Sequence, residues 1–212
     1  MKQAKQQTNK KLFSGRGQGK SAGQIRIIAG KNKGRKLPVL MAEGLRPTTD
    51  RVKETVFNWL MPYIHQANCL DCFAGSGSLG FEAMSRGATQ VTLIELNKAA
   101  AKQLQANKEL IKANNITVHQ GDALTFLQEG FLKLKQKGSD YQPFDLVFLD
   151  PPFRKKLVEQ SAQLLNDFGL ADEALIYVEM EAESTQIIPA NWQLLKEKVT
   201  GQVVYRLYQY QK

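Results

Sequence analysis

Cys69-Leu70-Asp71-Cys72-Phe73-Ala74-Gly75-Ser76-Gly77-Ser78-Leu79-Gly80 reads as an apolar strand, a glycine-rich turn and the opening of a helix, and Glu95 ends the next strand twenty positions after Gly75. Small residues let the chain turn tightly and bring backbone N–H groups up to a ligand, while a carboxylate at the end of the second strand can accept hydrogen bonds from both hydroxyls of a ribose. A glycine-rich turn without that strand, helix and acid would be an ordinary connection. In this context Phe73, Gly75, Ser76, Gly77 and Glu95 are candidates to bind a cofactor.

This pattern alone also suits a dinucleotide, and two further acids separate the cases. Asp71 places a carboxylate beside the loop, which favours a ligand carrying a charged amine over one carrying a pyrophosphate. Asp122, in Gly121-Asp122-Ala123 after the third strand, stands where an adenine amine could be bound. Asp71, Glu95 and Asp122 lie at the C-terminal ends of three successive strands, where open α/β sheets bind ligands. The set favours S-adenosylmethionine over a nicotinamide cofactor.

Outward from this segment, strands and helices alternate, as in a mostly parallel sheet covered on both faces. Strands are expected at Cys69–Phe73, Gln90–Glu95, Ile116–Gln120, Phe144–Asp150 and Leu175–Glu179, with helices at Leu79–Arg86, Lys98–Ala113, Ala123–Lys135 and Lys155–Phe168. Trp192–Val199 and Val203–Tyr210 flank a turn at Thr200-Gly201, so an antiparallel hairpin should complete a seven-stranded sheet. At the start of this domain, taken as 45–212, Val52, Val56, Trp59 and Leu60 recur at helical spacing from about Arg51 to Leu60.

Asp150-Pro151-Pro152-Phe153 follows the apolar run Leu146-Val147-Phe148-Leu149. The lone pair of an aromatic amine is delocalised into its ring, so the nitrogen attacks a methyl donor only when its hydrogens are drawn aside. The Asp150 carboxylate and the Pro151 carbonyl can each accept one N–H, two prolines hold them at a fixed separation, and Phe153 can stack on the base. A proline-rich strand terminator would require neither the acid before the prolines nor the aromatic after them.

The formal charge of +9 is unevenly placed. Eleven basic residues and no acidic one precede Glu43, leaving 18 basic against 20 acidic residues in the remainder. Residues 1–23, rich in Lys, Gln, Gly and Ser, are expected to form a disordered tail. Residues 24–44 read as a basic β-hairpin in which Arg26, Lys31, Lys33, Arg35 and Lys36 are candidate contacts to RNA phosphates. Cys69 and Cys72, three apart on a strand, point to opposite faces and are read as buried thiols. His65 and His119 lack ligand spacing, so no metal is expected. No run reaches the roughly 18 apolar residues of a membrane span, and no apolar stretch follows the N-terminal lysines, so a cytoplasmic location is expected.

Four segments carry a closer resemblance: Arg26-Ile27-Ile28-Ala29-Gly30, Gly44-Leu45-Arg46-Pro47-Thr48-Thr49-Asp50-Arg51-Val52-Lys53-Glu54, Leu70-Asp71-Cys72-Phe73-Ala74-Gly75-Ser76-Gly77 and Asp150-Pro151-Pro152-Phe153. From about Gln24 onward the chain resembles the RsmD family, bacterial methyltransferases of a guanine 2-amino group in 16S ribosomal RNA. The stretch from Arg46 to Glu54 is the most family-specific, because adenine amine methyltransferases share the other motifs. The resemblance implies a Rossmann-like class I methyltransferase fold, S-adenosylmethionine as cofactor, Thr48 and Arg51 beside its methionine end, and 16S rRNA in the small ribosomal subunit as substrate, met by a monomer. Alternatives are a DNA adenine amine methyltransferase, for which the chain leaves little room for a DNA-reading domain, and an inactive RNA-binding assembly factor, against which the intact Glu95, Asp150 and Phe153 speak.

Overall fold

The computed structural model describes residues 23–40, 50–134, 142–153 and 155–212. In chain order the elements are β1 (Gly23–Arg26), β2 (Lys36–Val39), α1 (Asp50–Leu60), β3 (Asn68–Asp71), α2 (Ser78–Ser85), β4 (Gln90–Glu95), α3 (Lys98–Leu110), β5 (Ile116–Gln120), α4 (Ala123–Leu134), β6 (Phe144–Leu149), α5 (Leu157–Phe168), β7 (Leu170–Glu181), β8 (Trp192–Thr200) and β9 (Val203–Tyr210). The expected tail lies outside the described residues except for Gly23, which opens β1.

Seven strands form one sheet in the order β5-β4-β3-β6-β7-β9-β8. Its first five members run parallel, and β9 is antiparallel to both β7 and β8. Strand alternation divides the core in two. Cys69, Leu146, Phe148 and Tyr177 face α1, α2 and α3, whereas Leu70, Cys72, Val147, Leu149 and Val178 face α4 and α5. The two cysteines are accordingly free, buried and on opposite faces, and burial pushes both thiols well above their usual range.

Strand β7 is longer than its sequence implies. Acidic Asp172 and Glu173 read as a loop, but the ladder to β6 continues past them through a register shift, with Phe144 opposite Leu170 and Leu146 opposite Leu175. Between those pairs β7 advances five residues to two on β6, and Glu173 within the irregularity adopts φ 58.

The small sheet of β1 and β2 packs on the α1/α2/α3 face through Ile25, Ile27, Leu37 and Val39. Buried polar groups then fix it. Glu82 of α2, with 0% exposure, accepts from the Ile28 N–H at 2.8 Å, the Ala29 N–H at 3.0 Å and Arg86 Nε at 2.7 Å. Ser85 donates through Oγ to the Ala29 carbonyl at 2.6 Å and accepts the Asn32 N–H at 2.9 Å. Buried Lys53 donates to the Arg26 carbonyl, and buried Asn107 donates to the Pro38 carbonyl at 2.9 Å. At Gly30, φ is 78 and an added Cβ would lie 1.8 Å from the Ser85 carbonyl oxygen, so only glycine lets the hairpin approach so closely.

Removing Glu82 strands two backbone N–H groups and the Arg86 guanidinium. Glu82→Ala should therefore cost about 3–5 kcal/mol, read from the urea midpoint, with faster amide exchange at Ile28 and Ala29.

Candidate active site

Strand β3 lies between β4 and β6, so the connections leave it in opposite directions across the sheet and open a crevice at its C-terminal end. The loop after β3 starts tied to both neighbours: the Cys72 N–H donates to the Phe148 carbonyl at 3.1 Å and the Ala74 N–H to the Ile94 carbonyl at 2.8 Å. Gly77 then adopts φ 77, and an added Cβ there would come within 2.6 Å of Leu104 and Phe81. At Gly80 the intruding atom would meet Leu93 at 2.1 Å, so this glycine seats α2 on the sheet. The hydroxyl of Ser78, the first residue of α2, is buried with no hydrogen-bond partner among the described residues.

The three strand-end acids have distinct roles. Asp71 is 2% exposed and accepts the Gly80 N–H through Oδ2 at 3.1 Å, so it braces the loop from inside. Burial pushes its pKa from 3.8 up to about 7, with the nearby Glu95 charge adding to the rise and backbone N–H donors opposing it. Glu95, half-buried, is held by the Gly75 N–H at 2.8 Å and the Asn97 N–H at 2.7 Å, one on each oxygen. Each oxygen keeps a lone pair for a ribose hydroxyl. Asp122 caps α4, its Oδ1 accepting from the Thr125 N–H at 2.9 Å and Thr125 Oγ1 at 3.1 Å.

Across the crevice, β6 delivers Asp150 at its C-terminal end. Asp71 pairs with Phe148, so Asp150 stands two residues beyond it toward the cleft, on the same sheet face. Burial, then the Glu179 and Asp71 charges, hold its carboxyl well above the usual range. Pro151 is buried, while Pro152 is exposed and Phe153 is 42% exposed. A large aromatic uncovered beside a half-buried acid is an open stacking face. Thr48 lies outside the described residues. Helix α1 leads down to the start of β3, so its first turn, with exposed Arg51, stands at the cleft edge of the sheet.

The basic hairpin residues gather elsewhere. Arg26, Lys31, Lys33, Arg35 and Lys36 are all exposed. The hairpin tip is bonded to Ser85, at the end of α2, and Arg35 donates to the Leu110 carbonyl at 3.4 Å, at the end of α3. Both helices run away from the cleft, so the tip sits at the opposite edge of the sheet. There Lys31, Asn32, Lys33, Arg35 and Lys112 surround an open depression of about 340 Å³.

Lys112, Ser78, Tyr177 and Glu179 are absent from the sequence-derived site. Lys112 is 77 positions from Arg35 and only the fold joins them. The Tyr177-Val178-Glu179 alternation was a usable signal, since strand residues two apart share a face.

A family model described as conserved hypothetical protein 95 matches residues 25–209. The chain is 56% identical over 190 residues to the ribosomal RNA small subunit methyltransferase D of Escherichia coli K12, covering 89% of this chain and 91% of that one. It is 57% identical over 189 residues to the protein of the same name from Haemophilus influenzae, covering 88% and 94%. A solved structure described as putative methyltransferase yhhF from Escherichia coli superposes with a TM-score of 0.78 at 54% identity, covering 89% of this chain and 99% of that one. The chain belongs to the ribosomal RNA small subunit methyltransferase D family.

Membership in this methyltransferase family agrees with the mostly parallel sheet, its antiparallel C-terminal strand and the glycine-rich turn at the switch point. Among the described residues, no helix is long and apolar enough to cross a membrane.

The loop and its acids suit S-adenosylmethionine: Gly77 at φ 77 lets the turn close tightly over Leu104 and Phe81, the Ser78 hydroxyl is buried without a partner among the described residues, and the Glu95 carboxylate is held by two backbone N–H groups with a lone pair left on each oxygen. Loss of a charge-assisted contact costs about 1.5–3 kcal/mol. Glu95→Ala should accordingly weaken S-adenosylhomocysteine binding by about 10- to 100-fold in calorimetric titration.

Proposed function

We propose that this protein transfers a methyl group from S-adenosylmethionine to the exocyclic 2-amino group of a guanine in 16S rRNA, acting in the cytoplasm as a monomer on the assembled small ribosomal subunit. The observation that carries the chemistry is the juxtaposition of Asp150, Pro151 and exposed Phe153 with the glycine-rich turn, across the β3/β6 switch point. The relatives named for the small ribosomal subunit support rRNA as the substrate.

Phe73, Gly75, Ser76, Gly77, Asp71, Glu95 and Asp122 would hold the cofactor, with Thr48 and Arg51 approaching its methionine end. When bound, it supplies an electrophilic methyl group on a sulfonium sulfur. The base must leave its stack to enter, at a cost of a few kcal/mol, and Phe153 gives it a new face to stack on. Asp150 and the Pro151 carbonyl each take one amine hydrogen, turning the nitrogen lone pair out of the ring plane and toward the β3 side of the crevice. As the nitrogen gains the methyl group it gives up a proton, and Asp150 is the nearest acceptor. A carboxyl held above the usual range is a better base for that step than an exposed one.

Lys31, Lys33 and Arg35, with Lys112 added by the fold, would contact phosphates at the far edge, and Arg26 and Lys36, paired in the strands of the hairpin, would continue that basic strip. Such contacts position RNA without reading its sequence.

Tritiated methyl groups should map to guanine in 16S rRNA, and label in DNA adenine would reject the reading. Asp150→Ala should lower kcat by about 1,000-fold or more while S-adenosylhomocysteine affinity stays within a few fold; normal turnover would remove Asp150 from the mechanism.

Exchanging Lys31, Lys33 and Arg35 for alanine together should flatten the dependence of log affinity for RNA on log salt by about 2. Filter binding across a salt series measures it, and an unchanged slope would leave the hairpin tip outside the RNA interface.

A further inference from the structure

The proposed clamp engages an amine but does not by itself choose the base that carries it. The neighbouring strand supplies a candidate. Val178 of β7 pairs with Leu149 of β6, so Glu179 stands beside Asp150 at the next register position. Adjacent strands are about 4.8 Å apart. The Tyr177 hydroxyl, two residues back on the same face, donates to Glu179 Oε2 at 3.1 Å. Tyr177 is fully buried with its ring against Phe148, so Glu179 is braced from within the core.

The order of the sheet sets a direction. The glycine-rich turn and Glu95 belong to β3 and β4, on one side of Asp150, and Glu179 belongs to β7, on the other. An amine held at Asp150 brings its neighbouring ring atom within reach of Glu179, one strand spacing of about 4.8 Å away. In guanine the ring atom next to the 2-amino group on the Watson–Crick edge is N1, which carries a hydrogen. In adenine the atom next to the 6-amino group is also N1, but it carries a lone pair. A carboxylate accepts a hydrogen bond from the first and repels the second.

We propose that Glu179 selects guanine by accepting its N1–H, while Asp150 and the Pro151 carbonyl take the hydrogens of the 2-amino group. Two acids side by side are mutually unfavourable, and the charge of Glu179 contributes to the raised pKa of Asp150. A base edge presenting adjacent N–H groups relieves that repulsion on entry. Glu179 is thus a specificity-determining residue that leaves proton transfer to Asp150.

This assignment rests on guanine as the acceptor, and the test separates the two. Small subunits are reconstituted with 16S rRNA carrying either guanine or 2-aminopurine at the target; the analogue keeps the amine and lacks the N1 hydrogen. The wild-type protein should favour guanine by about 100-fold or more in kcat/KM, because a site built around a hydrogen bond strongly rejects an analogue lacking it. Glu179→Ala should lose about 100-fold on guanine and bring the two substrates within about threefold of each other. Glu179→Gln, which keeps a carbonyl acceptor, should retain part of the preference, and both variants should bind S-adenosylhomocysteine normally. An unchanged preference in Glu179→Ala, or an equal loss on both substrates, overturns the role of Glu179 alone. Wild-type label in a base other than guanine overturns the underlying reading, and this role with it.

Discussion

Carboxylates withdrawn from water around the ends of β3 and β6 are the constraint on which the candidate site depends. The ladder places Phe148 opposite Asp71 and carries Asp150 just beyond it, with Glu179 alongside on β7. Each acid is harder to ionise than it would be in water, Asp71 up to about 7. The sheet can hold them because backbone N–H groups and one tyrosine hydroxyl aim at them: Gly80 at Asp71 and Tyr177 at Glu179. Those contacts set the shape of the loop and the reach of the clamp, so the groups that make the edge acidic also make it rigid. A preorganised acceptor array need not reorganise when an amine enters.

A second buried carboxylate performs a different task at the other end of α2. Glu82 takes the Ile28 and Ala29 N–H groups and Arg86 in one place, satisfying donors where β1 gives way to the turn. Without it the hairpin would rest on its apolar contacts and the bonds from Lys53, Ser85 and Asn107, and a short two-stranded sheet is marginal in water. The hairpin's exposed cations thus stand on a fixed element, with Arg86 of the same network lying over the Phe57 ring at 4.9 Å. Their placement relative to the cleft is a property of the fold, set by how α2 and α3 cross the sheet.

Much of this was legible locally, and what was not has a common cause. Strands Gln90–Glu95, Ile116–Gln120 and Val203–Tyr210 match their expected bounds because each is rich in β-branched or aromatic residues and bounded by polar or turn residues. The opposed faces of Cys69 and Cys72 follow from period two alone. By contrast, Glu82 sits in a helix opening that reads as an ordinary amphipathic segment, and its partners lie 53 and 54 positions away. Glu179 looked like the polar end of a strand until the β6/β7 register set it beside Asp150. Asp71 reads as an acid beside the loop, and its brace to the Gly80 N–H through one oxygen is a second role that its position in the sequence does not show. Pairings between distant segments leave no local trace, and buried polar groups are chosen by such pairings.

The positions of the two basic and acidic centres bear on what kind of substrate suits the protein. The clamp lies at the C-terminal edge of the sheet and the hairpin tip at the opposite edge, separated by the length of α3, thirteen residues or about 20 Å. With one phosphate per roughly 3.4 Å of a strand, a nucleic acid touching both must extend about six nucleotides along the α2/α3 face. A free nucleoside or a short loop meets only the clamp and gains nothing from the cations. A folded RNA whose neighbouring strand or helix runs down that face meets both, and its phosphate contacts help offset the cost of unstacking one base. On the proposed function the division of labour is spatial: charge at one edge would hold a large polyanion, and the acids at the other would distinguish a single amine within it.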